Sequence, residues 1–195
     1  MNKDLPLKNI TVLDLTNVLS GPFATQILSD LGAQVIKVEK PEGDDSRKFG
    51  PFVEGKSSYF ISLNRGKKSI SLNLKKNKDK IIFEKLITKS DVLIENFRPG
   101  TMEKLGYTSK YLKKKFPGLV QAKISGFGET GPLKSQPAYD IIVQAMSGIM
   151  SITGSDKNNF CRVGTSIGDI VAGLYAVIGI LTQLIYRDQT NKGSR

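Results

Sequence analysis

The chain has 195 residues, enough for one domain whose own core can hold it without disulfides or metals. It contains no histidine and one cysteine, Cys161, which excludes histidine triads, histidine metal sites, a cysteine zinc site and a disulfide framework, and fits a reducing, cytoplasmic compartment; no metal is expected. The net charge of +11 comes from 29 Lys and Arg against 18 Asp and Glu. That balance suits a phosphate-bearing ligand. Most of the excess, however, is lysine in an isoleucine- and asparagine-rich chain. Nucleic-acid motifs are missing, so no nucleic-acid partner is expected.

The opening MNKDLPLKNI lacks the apolar stretch of a signal peptide. Ile10 to Leu15 reads as an apolar strand, Gly21 to Leu31 as a helix with Phe23, Ile27 and Leu31 on one side, and Gln34 to Val38 as a second strand. Ser20 as cap, Pro22 in the first turn and Gly32 at the end punctuate that helix. Strand, tight turn, helix and strand within about thirty residues form a βαβ unit. Pro41 to Gly55 is polar and glycine-rich, a surface loop. The pattern then resumes with a strand over 68–74, a helix over 78–89, a strand Asp91 to Ile94, a short helix over 108–115 ending in the solvated run Lys113 to Lys115, and a strand Leu119 to Ile124. This predicts an α/β fold with a doubly wound parallel sheet. Gly126 to Pro137 is a second long loop of the kind that often carries function. Tyr139 to Met150 has helical spacing, with Ile142, Ala145, Met146 and Ile149 as its apolar face, and Gly154 and Ser155 break it. A last long helix starts near Asp169, with Val171, Leu174, Val177, Ile178, Leu181 and Ile185 as its apolar positions. No apolar run reaches membrane-spanning length, since Asp169 and Gln183 interrupt the longest, Ile170 to Tyr186. No membrane association is expected.

Two places have the residue types for chemistry. The turn Thr16 to Pro22 follows the first strand at the sheet edge where α/β folds bind ligands, and the next helix offers free amides to an anion. It lacks the G-x-G-x-x-G of a dinucleotide site, and a helix start needs no ligand to explain it. The second place is Gly164 to Gly173, where Asp169 opens an otherwise apolar helix among Gly164, Gly168, Ala172 and Gly173. A first-turn aspartate is also what the helix dipole favours, so spacing leaves its role open.

Several stretches together resemble the class III CoA-transferase family (the CaiB/BaiF type, which includes formyl-CoA transferase-like enzymes and acyl-CoA racemases). They are VLDLTNVLSGPFATQILSDLGAQVIKVEKPEGDDSR, SLNRGKKSISLNLK, DVLIENFRPGTMEKLGY, ISGFGETGP, AYDIIVQAMSGIMSITG and RVGTSIGDIVAGLYA. The resemblance runs along the whole chain in the family's order. It implies a Rossmann-like large domain, residues 1–195 being its N-terminal portion without the small domain, the C-terminal return or the glycine-rich loop over the active site. The closing run Arg187, Thr190, Lys192 and Gly193 matches a turn of the family. A complete chain would form the family's interlocked homodimer.

The resemblance assigns Asp169 as nucleophile, with acyl-CoA and a small carboxylic acid as substrates and no permanently bound cofactor. The acyl group would pass from its thioester to the Asp169 carboxylate as a mixed anhydride, and CoA thiolate would then give an aspartyl-CoA thioester. Asn17, Val18, Leu19, Ser20, Lys40, Leu72, Lys75, Asn96, Phe97, Arg98 and Lys104 would contact CoA. Tyr139, Asp140 and Gly168 would stand beside Asp169. Lys40 and Lys104 replace arginines seen in some members, keeping charge without the guanidinium fork, and Asn17 stands where many carry histidine. Family racemases use a histidine in a G-H-D motif; the matching residues are Ala138, Tyr139 and Asp140, which favours CoA transfer, with a short dicarboxylate pair as the substrate class. The alternative is a non-catalytic CoA-binding fragment, and an uncovered apolar face on the last helix is expected in either case.

Overall fold

The computed structural model describes residues 4–156, 158–190 and 193; Met1 to Lys3 of the opening segment and Lys192 of the closing motif lie outside them. In chain order the elements are β1 (Thr11–Asp14), α1 (Ser20–Asp30), β2 (Gln34–Glu39), a 3-10 turn (Asp45–Lys48), β3 (Phe52–Val53), β4 (Lys56–Ser57), α2 (Ser58–Asn64), β5 (Lys68–Ser71), α3 (Asn77–Thr88), β6 (Val92–Glu95), α4 (Thr101–Leu105), α5 (Ser109–Lys115), β7 (Val120–Lys123), α6 (Asp140–Met146), a 3-10 turn (Ile149–Ile152) and α7 (Ile167–Thr190). Five strands pair in parallel in the order β5-β2-β1-β6-β7. Helices cover both faces. Ala24 and Leu28 of α1 and Val177, Ile180 and Leu184 of α7 pack on one side against Val12, Val35, Val92 and Val120. Phe83 and Ile87 of α3, with Met102 and Leu112, pack on the other against Leu13 and Leu93. The doubly wound reading holds.

Several boundaries differ from the sequence reading. The loop from Pro41 to Gly55 contains a 3-10 turn and the first strand of a hairpin, fixed by Asp44 accepting from the Ser46 amide at 2.9 Å. The strand over 68–74 stops at Ser71. The helix over 139–150 is two pieces, because Gly148 takes φ +81° and ends the first. Its apolar side points outward: Ile142 and Met146 are exposed, and Gln144 is the residue buried. On α7 the buried stripe is Gly173, Val177, Ile180 and Leu184; of the six apolar positions read from the sequence Val177 is buried, and Val171, Leu174, Ile178 and Ile185 lie on the expected uncovered face. Arg187 to Thr190 continue that helix rather than turning. At 24 residues with mean hydropathy 1.7, α7 is long and apolar enough to cross a bilayer, contrary to the sequence expectation. Its buried stripe nevertheless belongs to the core against α1 and the sheet.

The sheet also buries charge. Lys37 and Asp14 are almost wholly enclosed. Lys37 Nζ donates to the Thr16 carbonyl at 2.7 Å and pairs with Asp44 at 2.9 Å. Lys67 Nζ lies 3.3 Å from Asp14, whose carboxylate also accepts from the Thr16 amide at 2.8 Å and the Thr25 hydroxyl at 2.6 Å. Burial raises the Asp14 and Asp44 carboxyls, but the neighbouring lysines and hydroxyls outweigh it and hold both below the usual range. Lys67 is brought down to about 8, chiefly by burial. Beside them Glu39 receives both arms of Arg47 at 2.7 Å, the Ser69 hydroxyl at 2.6 Å and the Asp44 amide at 2.9 Å. Burial opposes the Glu39 charge, yet these donors lower its carboxyl to about 2.

The folded Glu39 thus takes a proton near pH 2 and the unfolded one near 4.5. Its contribution is complete above the unfolded value and is lost as pH falls between the two. Glu39→Gln is expected to lower Tm at neutral pH and to flatten the fall of Tm with acid over that window, as differential scanning fluorimetry across pH would show. Equal acid slopes for both proteins would contradict this.

Candidate active site

The sheet order reverses between β1 and β6, and the crevice at their carboxyl ends is where such sheets bind ligands. The turn after β1 enters α1 through Val18 at φ +68°, a left-handed conformation that a β-branched residue adopts only when its surroundings impose it. Two side chains impose it. Asp44 Oδ1 accepts from the Val18 amide at 3.2 Å. Asn96, just past β6, brackets the Asn17 peptide group, accepting from its amide at 2.8 Å and donating to its carbonyl at 2.9 Å. Ser20 is not the cap that its position promised: it is the first helical residue, and Leu19 precedes it without a side-chain cap. Its hydroxyl lies 3.4 Å from Asn96 Nδ2 and hydrogen-bonds the Asp169 carboxylate.

Asp169 reaches that position because α7 crosses α1 closely. A Cβ at Gly173 would lie 2.7 Å from the Ser20 carbonyl and 3.0 Å from Phe23. Of the small residues around Asp169, Gly173 thus serves helix packing against α1, and Gly168 lies close against Asp140 and Val143 of α6. At the start of α7, Asp140 Oδ1 accepts from the Gly168 amide at 2.8 Å and the Asp169 amide at 3.4 Å. Half-buried Asp169 has its carboxyl raised, first by burial and then by the Asp140 charge, with the Ser20 hydrogen bond opposing.

Turn and helix face each other across a cavity of about 400 Å³. Asn17, Val18, Leu19, Ser20, Asn96, Phe97, Arg98, Tyr139, Asp140, Gly168 and Asp169 all line it, so most of the residues singled out in the sequence converge. Lys40, Leu72, Lys75 and Lys104 do not line it. Lys40 pairs at 2.7 Å with Asp45, which does. Leu72 is 5% exposed, packed in the core beneath β2 and α3. Lys75 and Lys104 are exposed elsewhere. The lining also includes Ala172, read from the sequence as one of the small residues around Asp169, and residues not singled out: Asp45, Ile124, Gln136 and Val143. Val143 lies one helical turn beyond Asp140, a spacing that could have marked it. The Gly126 to Pro137 loop, read as functional in type, does contribute its two ends.

The family model for CoA-transferase family III matches residues 7–195. Among curated relatives, an acetyl-CoA:oxalate CoA-transferase of Acetobacter aceti is 52% identical over 97% of this chain and 49% of its own length. The succinyl-CoA:glutarate CoA-transferase of Homo sapiens is 43% identical over 99% of this chain and 44% of its own. The solved structure of a CAIB/BAIF family protein from Brucella suis superposes with a TM-score of 0.94 at 42% identity, over 98% of this chain and 52% of that one. The chain therefore spans about half the length of the relatives it matches.

The contact at Gly173 makes a specific demand. Gly173→Val would force α7 off α1 and is expected to cost roughly 1–3 kcal/mol or more in urea unfolding, because the obstacle is backbone. Gly179, with open space at its Cβ position, is the control: Gly179→Ala is expected to stabilise by up to about 1 kcal/mol. Equal effects at the two positions would refute the close crossing.

Proposed function

The chain belongs to CoA-transferase family III, and from that premise we propose that it moves CoA from an acyl-CoA donor to a carboxylic acid through covalent chemistry at Asp169. The observation behind this reading is the placement of a raised, half-buried carboxyl on the wall of a cavity whose opposite wall is the β1–α1 turn. The turn and the Asn96 to Arg98 segment would hold the CoA moiety, with the Arg98 guanidinium available to an anion.

In the proposed reaction an Asp169 oxygen bonds to the thioester carbonyl carbon. The C–S bond breaks, and CoA leaves as thiolate with the electron pair. Thiolate then attacks the Asp169 carbonyl carbon of the anhydride, expelling the donor carboxylate and leaving an aspartyl-CoA thioester. The acceptor carboxylate adds to that carbonyl and displaces thiolate, forming a second anhydride, and thiolate attack on the acceptor's carbonyl releases the new acyl-CoA with Asp169 restored. All the nucleophiles are anions already, so no step needs a general base, and a raised carboxyl is the more nucleophilic one. The names of the relatives pair acetyl or succinyl thioesters with oxalate or glutarate, which supports a short dicarboxylate as acceptor.

A second reading is favoured by one feature. Leu174, Tyr175, Ile178, Ile185 and Tyr186 leave an open apolar face on α7, of the size that ordinarily meets another polypeptide. On this second reading the chain is a non-catalytic fragment that binds CoA without being acylated. Mass spectrometry after mixing with succinyl-CoA and acid quenching separates the two readings. The expected adduct is on the peptide holding Asp169, and Asp169→Asn should reduce its formation about a thousandfold or more while CoA affinity stays within about threefold. CoA binding without any adduct in the parent protein would favour the second reading; an adduct that survives Asp169→Asn would refute the first.

A further inference from the structure

Asp140 and Gln144 form a clamp whose geometry bears on how Asp169 is presented. An aspartate in the first turn of a helix ordinarily leans on the free amides of that turn, and the interaction stabilises its charge. Those amides are taken here. Asp140, from α6, accepts from Gly168 N at 2.8 Å and Asp169 N at 3.4 Å, capping α7 from another helix. Gln144, one turn further along α6 and fully buried, fixes Asp140 from behind. Its Nε2 donates to Asp140 Oδ2 at 2.6 Å and to the Thr165 carbonyl at 3.3 Å, and its Oε1 accepts from the Val163 amide at 2.8 Å. One side chain thus ties α6 to the segment that leads into α7. Among the described residues of α6, Gln144 is the one that is buried, although it is polar and its apolar neighbours are exposed. A buried amide with both ends satisfied is a specific arrangement rather than filler.

We propose that Gln144 and Asp140 act as positioning residues: Asp140 occupies the amides at the start of α7 and Gln144 holds it there, so that the Asp169 carboxylate is kept off its own helix terminus and delivered to the cavity as a more nucleophilic group. The inference rests on Asp169 being the acylated residue. The charge of Asp140 acts in the same sense, and the titratable groups facing Asp169 are Asp140 from α6 and Tyr59 from α2, whose phenol is raised first by burial and then by the Asp169 charge. Arg98 and Asp45 share the cavity wall.

The test uses the full chain with aspartate carboxyls labelled with ¹³C and backbone amides with ¹⁵N. Asp140→Asn keeps the Oδ1 acceptor and removes the charge; Asp140→Ala removes both; Gln144→Met removes the clamp behind. The Gly168 amide signal should stay near its parent position in Asp140→Asn and move in Asp140→Ala. The Asp169 titration midpoint should fall in both. With succinyl-CoA, Asp140→Asn should slow adduct formation several-fold, and Gln144→Met by about tenfold to a hundredfold, each with CoA affinity kept. An unchanged Asp169 midpoint in Asp140→Asn and Asp140→Ala overturns the inference, whatever the adduct shows. Absence of any adduct on Asp169 in the parent, with the NMR changes present, overturns the assignment of Asp169 and leaves the clamp standing.

Discussion

The structure depends on charge buried beneath the carboxyl edge of its sheet. Taking a lysine or a carboxylate out of water costs several kcal/mol per ion unless partners and hydrogen bonds offset it. Here Lys37 and Lys67 meet Asp14 and Asp44, and the leftover lone pairs are taken by Thr16, Thr25 and Ser46. Thr16 belongs to the turn after β1 and Asp44 and Ser46 to the loop after β2, and Lys37 bridges the two by donating to the Thr16 carbonyl and pairing with Asp44. The ions therefore hold two loops in fixed relation, and Val18 keeps an unfavourable backbone angle because Asp44 and Asn96 leave its neighbourhood no alternative.

From that fixed turn the site follows by packing. Gly173 lets α7 lie on α1, which brings Asp169 to Ser20; Asn96 reaches from β6 to the same turn. The cavity is thus bounded on one side by rigid backbone and on the other by a helix start whose amides are already capped. The groups that act on the Asp169 charge are the Asp140 carboxylate and the Ser20 hydroxyl, while Arg98 stands elsewhere on the cavity wall, which keeps that charge available for attack. The same helix carries an open apolar face on its far side.

Much of this was legible in the sequence. β1, β2, β6 and β7 stand out as apolar runs, and α1, α3 and α5 as periodic segments between them. α2 and α4 were not: Ser58–Asn64 has its apolar residues at 59, 60, 61 and 63 without a helical stripe, and Thr101–Leu105 is little more than one turn. The inward face of α6 was misjudged for a different reason: a short helix with apolar residues on several sides does not announce which stripe is covered. Lys37 shows the deeper limit. In the run QVIKV it reads as a residue on the solvent side of a strand, and only the approach of Asp44 in the folded chain makes its burial tolerable. The candidate site was more legible than its support. Asp169 and the Asn17 to Ser20 turn were readable from motif resemblance, whereas Gln144 was hidden among apolar neighbours that turned out to face away.

Hydrogen exchange by NMR on Asp44→Ala tests the central claim most directly. The account predicts that the Val18 and Ser46 amides lose protection together while Val12, Leu93 and the rest of the sheet core stay protected. Unchanged protection at Val18 in the folded variant would mean that the buried charges do not hold the turn, and the account of the site would fail with them.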